Sequence, residues 1–255
     1  AETLVLEGAQ VTVLDDLSTG YKTNLEPLSK LGVEFVRGSI LDERLLAKTF
    51  ADVEYVFHQA AFVSVPRSLA EPGLCNKVNI IGTMRVLEAA RRTDVKKVVY
   101  AASSSAYGET PMLPKVETMY PSPLSPYAVA KLAAEYYCIV YNSVYGLPTT
   151  ALRYFNVYGP RQDPTSQYAA VVPNFITAAA QGKAPVIYGD GEQSRDFTFV
   201  ADAVQANLKA ALSSESDGAV VNVAAGERTT IKELVAMVTR LVGVEVEPKY
   251  VAARE

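Results

Sequence analysis

Lys97-Val-Val-Tyr-Ala-Ala-Ser103-Ser-Ser-Ala-Tyr-Gly108 is an apolar strand that ends in three serines. A segment rich in proline and glycine follows it to Pro126, and then a helical pattern over 126–145. Working outward, the strand-like apolar runs are 97–101 itself and 11–14, 33–36, 53–57, 149–153 and 220–223. Helical patterns cover 41–50, 76–93, 126–145, 170–181, 200–213 and 231–242, and 247–251 reads as a short strand. Strand and helix alternate, which predicts an α/β fold: a doubly wound parallel sheet with helices on both faces. Asp202 and Thr230 suit the first turns or caps of the last two helices. Glycine and proline thicken over 107–126 and 159–191, and loops of such length commonly carry binding or catalysis.

The chain has 255 residues, 49% of them apolar and 20% charged, enough to bury a sizeable core. Its net charge of −4 argues against nucleic acid as a partner, which would call for a clustered basic excess. No apolar run approaches the roughly 18 residues of a membrane span. Ala1-Glu2-Thr3 offers no basic n-region, so no signal peptide is expected. Cys75, Cys138 and the single histidine, His58, cannot build a zinc site, so no metal is expected. A reducing cytoplasm is the expected compartment. His58 lies within an apolar strand and reads as a packing residue, and the two cysteines as small buried hydrophobes.

Two constellations carry chemistry. Val11-Thr-Val-Leu-Asp15-Asp16 is a strand ending in a carboxylate, the position from which an acid bonds the ribose hydroxyls of NAD and repels the extra phosphate of NADP. Acids at strand ends also serve as ordinary turn residues. Tyr127-Ala-Val-Ala-Lys131 places a phenol and an ammonium at i and i+4, on one face of a helix. There the ammonium is expected to lower the phenol pKa so that Tyr127 acts as a base, with a strand-end serine orienting the reacting hydroxyl. A half-buried tyrosine beside a solvated lysine gives the same spacing. The serine-rich strand end, proline-rich loop and Tyr-x-x-x-Lys in this order are far more specific.

With these motifs the chain resembles the extended short-chain dehydrogenase/reductases, and among them the nucleotide-sugar 4-epimerases. Further matching stretches are Leu14-Asp-Asp-Leu-Ser-Thr-Gly20, Val56-Phe-His-Gln-Ala-Ala61, Val78-Asn-Ile-Ile-Gly-Thr83, Leu152-Arg-Tyr-Phe-Asn-Val-Tyr-Gly-Pro160, Tyr188-Gly-Asp-Gly191 and Arg195-Asp-Phe-Thr-Phe-Val200. The resemblance implies an NAD-binding Rossmann domain over 1–155 and a smaller, mainly substrate-binding region over 156–255, with Rossmann crossover segments near 196–224. It assigns Ser103, Tyr127 and Lys131 to catalysis. Asp15, Asp16, Ser18, Thr19, Gly20, Ile40, Gln59, Ala60, Ala61, Asn79, Ala101 and Tyr154 would join Tyr127 and Lys131 around NAD. Ser103, Ser105, Tyr127, Asn156, Val172, Pro173, Tyr188, Arg195 and Arg254 would bind a UDP-sugar. Ser39 departs from the family's usual Asp facing the adenine.

Ser104 and Ser105 stand where nucleotide-sugar dehydratases carry an Asp-Glu pair, and Ser105 also departs from the Glu of the UDP-glucuronate decarboxylases. What remains is epimerase chemistry on a UDP-hexose. The alternatives are a UDP-glucuronate 4-epimerase and a non-catalytic binding relative. The tyrosine-rich stretch from Tyr136 to Tyr145 suits core and subunit interface, and a homodimer is expected by resemblance.

Both ends carry expectations of their own. Residues 1–8 read as the tail of a helix stopped by Gly8, with the glycine-rich fingerprint expected some 20 residues before Asp15, outside this chain. Arg254 matches the start of an Arg-x-Gly-Asp motif. In the strand order 3-2-1-4-5-6 the runs starting at Val11 and Val53 are not neighbours. Residues 1–255 are therefore expected to leave a gap between them, to melt early and to hold NAD weakly.

Overall fold

The computed structural model describes residues 1–163 and 171–253. Its strands are β1 (Thr12–Asp15), β2 (Glu34–Arg37), β3 (Tyr55–His58), β4 (Lys97–Ser103), β5 (Thr149–Tyr154), β6 (Val186–Tyr188), β7 (Ser194–Arg195), β8 (Val220–Val223), β9 (Thr229–Thr230) and β10 (Lys249–Val251). Its helices are α1 (Glu2–Leu6), α2 (Glu26–Lys30), α3 (Glu43–Thr49), α4 (Val65–Ala70), α5 (Pro72–Asn76), α6 (Thr83–Arg92), α7 (Pro126–Tyr145), α8 (Val171–Ala180), α9 (Val200–Leu212) and α10 (Ile231–Val242). The chain forms two compact units. One comprises Ala1–Arg153 with Val204–Asn222, the other the described residues of Tyr154–Ala203 with Val223–Glu255.

In the first unit β3, β4, β5 and β8 form one sheet in that order, with β3 and β4 parallel, while β1 and β2 pair separately in parallel. Among the described residues no ladder joins β1 to β3, the gap that the strand order predicts. Six of the seven residues of β4 are buried, as in a central strand covered on both faces. Leu46, Val86, Leu87, Val98, Tyr100, Ala134 and Cys138 anchor the core between sheet and helices. In the second unit Val172, Phe175, Ile187, Leu234 and Val238 make a smaller core beneath the parallel pair β6–β10.

The elements end where local chemistry ends them. Asp42 caps α3 by accepting from the N–H groups of Arg44 and Leu45. Ser125 caps α7 with Pro126 at its first position, and Gly146 closes that helix in the left-handed conformation. Thr230 and Glu233 form a reciprocal capping box on α10.

The expected single helix over 76–93 is interrupted. Lys77–Gly82 is a π turn between α5 and α6. Its cause is tertiary: the Asn79 side chain clasps the backbone of Phe62, and Gly82 lies against Ile40, whose Cδ1 a Cβ would approach to 2.5 Å.

Gly108 ends the serine segment at φ 59° and ψ −148°, and a Cβ there would fall 2.1 Å from the Ser122 carbonyl oxygen. Only glycine fits that close approach. Gly108→Ala is therefore expected to lower unfolding stability by about 1–3 kcal/mol through backbone strain alone. Urea denaturation checks this, and a loss below about 0.5 kcal/mol, the scale of a neutral surface change, would mean that the segment shifts freely.

Candidate active site

The strand-end serine is built into a 3₁₀ turn, Ser104–Tyr107. Ser103 Oγ accepts from the backbone N–H of Ser105 at 3.2 Å, and Ser105 Oγ donates to it at 2.8 Å. Both lone pairs of Ser103 are thus occupied and its own proton is free to be donated. Tyr127, in the first turn of α7, is hydrogen-bonded to Ser103. Its backbone N–H donates to Ser68 Oγ at 3.2 Å. The structure therefore brings Ser103, Ser105 and Tyr127 together.

Lys131 is buried. Its Nζ donates to the carbonyl of Ala101 at 2.8 Å and lies 5.0 Å from the centre of the Tyr100 ring. Burial pushes this ammonium down to about 8. The expected effect of Lys131 on Tyr127 is not what the structure shows. Burial raises the phenol pKa above its ordinary value, and the hydrogen bond with Ser103 acts against that rise. Lys131 is turned to the Ala101 carbonyl and the Tyr100 ring, so the group that favours the phenolate is a neutral serine.

His58 is buried at the end of β3, as its apolar surroundings predict. Thr83 Oγ1 donates to the carbonyl of Asn79 at 2.7 Å, so it must accept from His58 Nε2, 2.9 Å away. That fixes the Nε2–H tautomer. Burial, and next the charge of Lys131, push the imidazole down to about 3.

Asn79 is wholly committed. Its Oδ1 accepts from Phe62 N at 2.7 Å and its Nδ2 donates to Phe62 O at 3.1 Å, which fixes the loop carrying Gln59, Ala60 and Ala61. Gln59 Nε2 donates to Asn207 Oδ1 at 3.0 Å. Ile40 is buried in the core and packs on Gly82.

At the end of β1, Asp15 Oδ1 accepts from Leu17 N at 2.7 Å and Asp16 Oδ1 from Ser18 N at 2.9 Å. Leu17 takes φ 59° to close this turn. Thr19 and Gly20 complete it, and a Cβ on Gly20 would meet both Asp15 oxygens at 3.4 Å. Asp15 Oδ2 takes no hydrogen bond among the described residues. A carboxylate with an open oxygen beside a bare glycine fits a pair of ribose hydroxyls.

In the second unit Asn156 adopts φ 21° and donates from Nδ2 to the carbonyl of Asp196 at 2.9 Å. Asp196, which the sequence reading did not single out, accepts from Ala225 N and Gly226 N at 2.8 Å each. Its signal was its place directly after Arg195. Arg195 is exposed on β7 and donates to Ser194 O. Tyr188 ends β6, half exposed, and its carbonyl accepts from Gln193 Nε2. Pro173 is partly exposed, and Val172 is buried in the second core. Tyr154 ends β5. Arg254 lies outside the described residues.

The family described as NAD dependent epimerase/dehydratase matches residues 1–224. The UDP-glucose 4-epimerase of Mycolicibacterium smegmatis is 40% identical over 251 residues, which cover 97% of this chain and 79% of that relative. Among solved structures, the UDP-N-acetylglucosamine 4-epimerase of Methanobrevibacter ruminantium M1, in complex with UDP-N-acetylmuramic acid, superposes with a TM-score of 0.94 at 41% identity. It covers 99% of this chain and 80% of that one. The UDP-glucose 4-epimerase of Thermus thermophilus, in complex with NAD, gives 0.89 at 36% identity over 99% of this chain and 82% of that one.

The buried imidazole makes stability depend on acid. Unfolded, His58 takes up a proton near its ordinary pKa of about 6.5; folded, it does so only near 3. Between those values the unfolded state binds the extra proton. This contribution to stability is therefore complete above about pH 6.5 and falls by up to about 1.4 kcal/mol per pH unit below it. His58→Gln keeps a donor for Thr83 and cannot titrate, so its stability should fall less between pH 7 and 4.5 than that of the parent. Denaturant midpoints at the two pH values measure this, and parallel losses would mean that the imidazole is not the acid-sensitive group.

Proposed function

Since the chain belongs to the NAD dependent epimerase/dehydratase family, we propose that it is a 4-epimerase of UDP-hexoses, acting on UDP-glucose and UDP-galactose or their N-acetyl forms. The observation that carries this is the turn at Ser103. It offers Ser103, Ser105 and Tyr127 as hydroxyls in one hydrogen-bonded chain, with no carboxylate at 104 or 105 to drive elimination of water. The similar proteins named as UDP-sugar 4-epimerases support the same reading.

NAD, when bound, supplies the hydride acceptor and donor for C4′ of the sugar. The chain's own residues manage binding and the proton. Tyr127, as phenolate, takes the proton of the 4′-hydroxyl and returns it to the same oxygen after the 4-keto sugar has turned over. The base is the phenolate form of Tyr127: burial works against it, and the bond donated by Ser103 favours it. Lys131 spends one of its three N–H donors on Ala101 and has two for the ribose of the cofactor. Asp15, flanked by Asp16, Ser18, Thr19 and Gly20, would hold the other ribose, and Gln59, Ala60 and Ala61 would line the middle of the cofactor. Arg195 and Asn156 suit the diphosphate, with Arg254 as a further contact, while Tyr188 and Pro173 suit the base. A guanidinium holds a diphosphate through charge-assisted bonds while the sugar stays free to turn.

The exposed Val129, Tyr136, Val140 and Val144 form an apolar stripe along α7 at helical spacing. A second copy of the chain would cover it, which supports a homodimer. Among the described residues no helix is long and apolar enough to cross a membrane.

Tyr127→Phe is expected to lower turnover by about 10²–10⁴ while leaving UDP-sugar affinity near that of the parent. Epimerisation followed by proton NMR, with calorimetry for binding, checks both, and near-normal turnover would exclude Tyr127 as the base. The Asp15 carboxylate would face the 2′-phosphate of NADP as a like charge, so NAD should bind more tightly than NADP. Equal affinities by calorimetry would remove Asp15 from the ribose.

A further inference from the structure

A buried ion pair lies close to the chemistry without entering it. Tyr127, Lys131 and Glu135 follow at i, i+4 and i+8 along one face of α7. Arg153 on β5 grips Glu135 with both arms of its guanidinium, Nε to Oε2 at 2.8 Å and Nη2 to Oε1 at 2.6 Å. The two side chains are 4% and 2% exposed. The carbon of the same guanidinium lies 4.7 Å from the centre of the Tyr107 ring. Tyr107 is the last residue of the turn that Ser103 caps, and its hydroxyl donates to Asn222 Oδ1 at 2.7 Å. Asn222 in turn reaches the proline-rich loop, donating from Nδ2 to Lys115 O and from its backbone N–H to Glu117 Oε1.

Stability does not account for this arrangement. A well-packed apolar pair often fills such a space equally well, and among the described residues Arg153 Nη1 is buried without a well-formed hydrogen bond, which is a cost. What a bidentate pair adds is fixed geometry. One planar group is tied to the helix bearing Tyr127 and Lys131 and is stacked on the turn bearing Ser103 and Ser105.

We infer that Arg153 is a positioning residue for the reaction: through Glu135 and Tyr107 it sets the separation of Tyr127 from Ser103. It does so without touching the substrate. The inference rests on the epimerase reading for its kinetic consequence and on geometry alone for its structural one.

Two variants test it. Arg153→Lys keeps the charge but loses the fork and the flat face over Tyr107. The double variant Glu135→Leu/Arg153→Met replaces the pair with apolar side chains of similar size. Each is expected to melt cooperatively, to keep KM for UDP-glucose within about threefold, and to lose about 10–100-fold in kcat, the scale on which small misplacements act. The second readout needs no turnover. In protein labelled with ¹³C at the tyrosine Cζ, the Tyr127 signal is assigned by its absence from Tyr127→Phe. Its titration should move to higher pH in both variants as the bond from Ser103 loosens. The other groups facing Tyr127 are Cys75 from α5, Tyr100 from β4 and Lys131 one turn along, and all are retained.

A folded variant with either parental kcat or a parental Tyr127 titration would overturn the inference. Should the double variant fail to fold, Arg153→Lys decides by the same two readouts. Should the parent show no epimerisation, the UDP-hexose reading fails by itself, and the phenol titration still decides the role of Arg153.

Discussion

Everything at this site depends on how closely α7 lies on β4. Ala128, Ala130 and Ala134 are at most 2% exposed; Ala134 joins the core that includes Tyr100 and Ala102 of β4, and Ala130 packs with Phe62 and Cys75. Small side chains let the two backbones approach until the Lys131 ammonium reaches the Ala101 carbonyl. A larger residue at Ala134 would push the helix outward, at about 1–3 kcal/mol for overpacking. The same closeness buries Lys131, which explains both its lowered pKa and its use of a carbonyl and a ring face as local compensation. Packing thus sets the electrostatics here.

The parts of the fold that could be read in advance are those whose signals are local. Strand ends, the Ser125-Pro126 start and Gly146 stop of α7, and the Thr230–Glu233 box all follow from neighbouring residues. So does the face shared by Tyr127 and Lys131. The π turn was not legible, because its cause is the bond from Asn79 to Phe62, 17 residues away in sequence. Periodicity over 76–93 is that of one amphipathic helix, and nothing in it reports that a side chain is spent on a distant backbone. An apolar residue in a functional motif looks the same in sequence whether it faces a ligand or the core, so the burial of Ile40 and Val172 in the two hydrophobic clusters was not legible either.

The Glu135–Arg153 pair shows the same limit from the polar side. Glu135 extends the Tyr127–Lys131 face by one turn, so its position could be seen in the sequence. Its partner lies 18 residues on, in a strand of the sheet, and only the tertiary fold brings them together. Charges separated in sequence leave no periodic trace.

The electrostatics of Tyr127 differ from the sequence expectation in kind. An ammonium at i+4 would favour the phenolate by charge, but that ammonium is held by another acceptor, and burial of the phenol works in the opposite direction. What is left is a directed hydrogen-bond chain. Ser105 fills both acceptor sites of Ser103, so the single Ser103 proton has one task, donation. A neutral donor does not compete with an incoming sugar hydroxyl by carrying charge, and it stabilises the phenol oxygen most when that oxygen has lost its proton. Ser103, held by Ser105, therefore favours the phenolate through a directed bond where the lysine's spacing promised a charge.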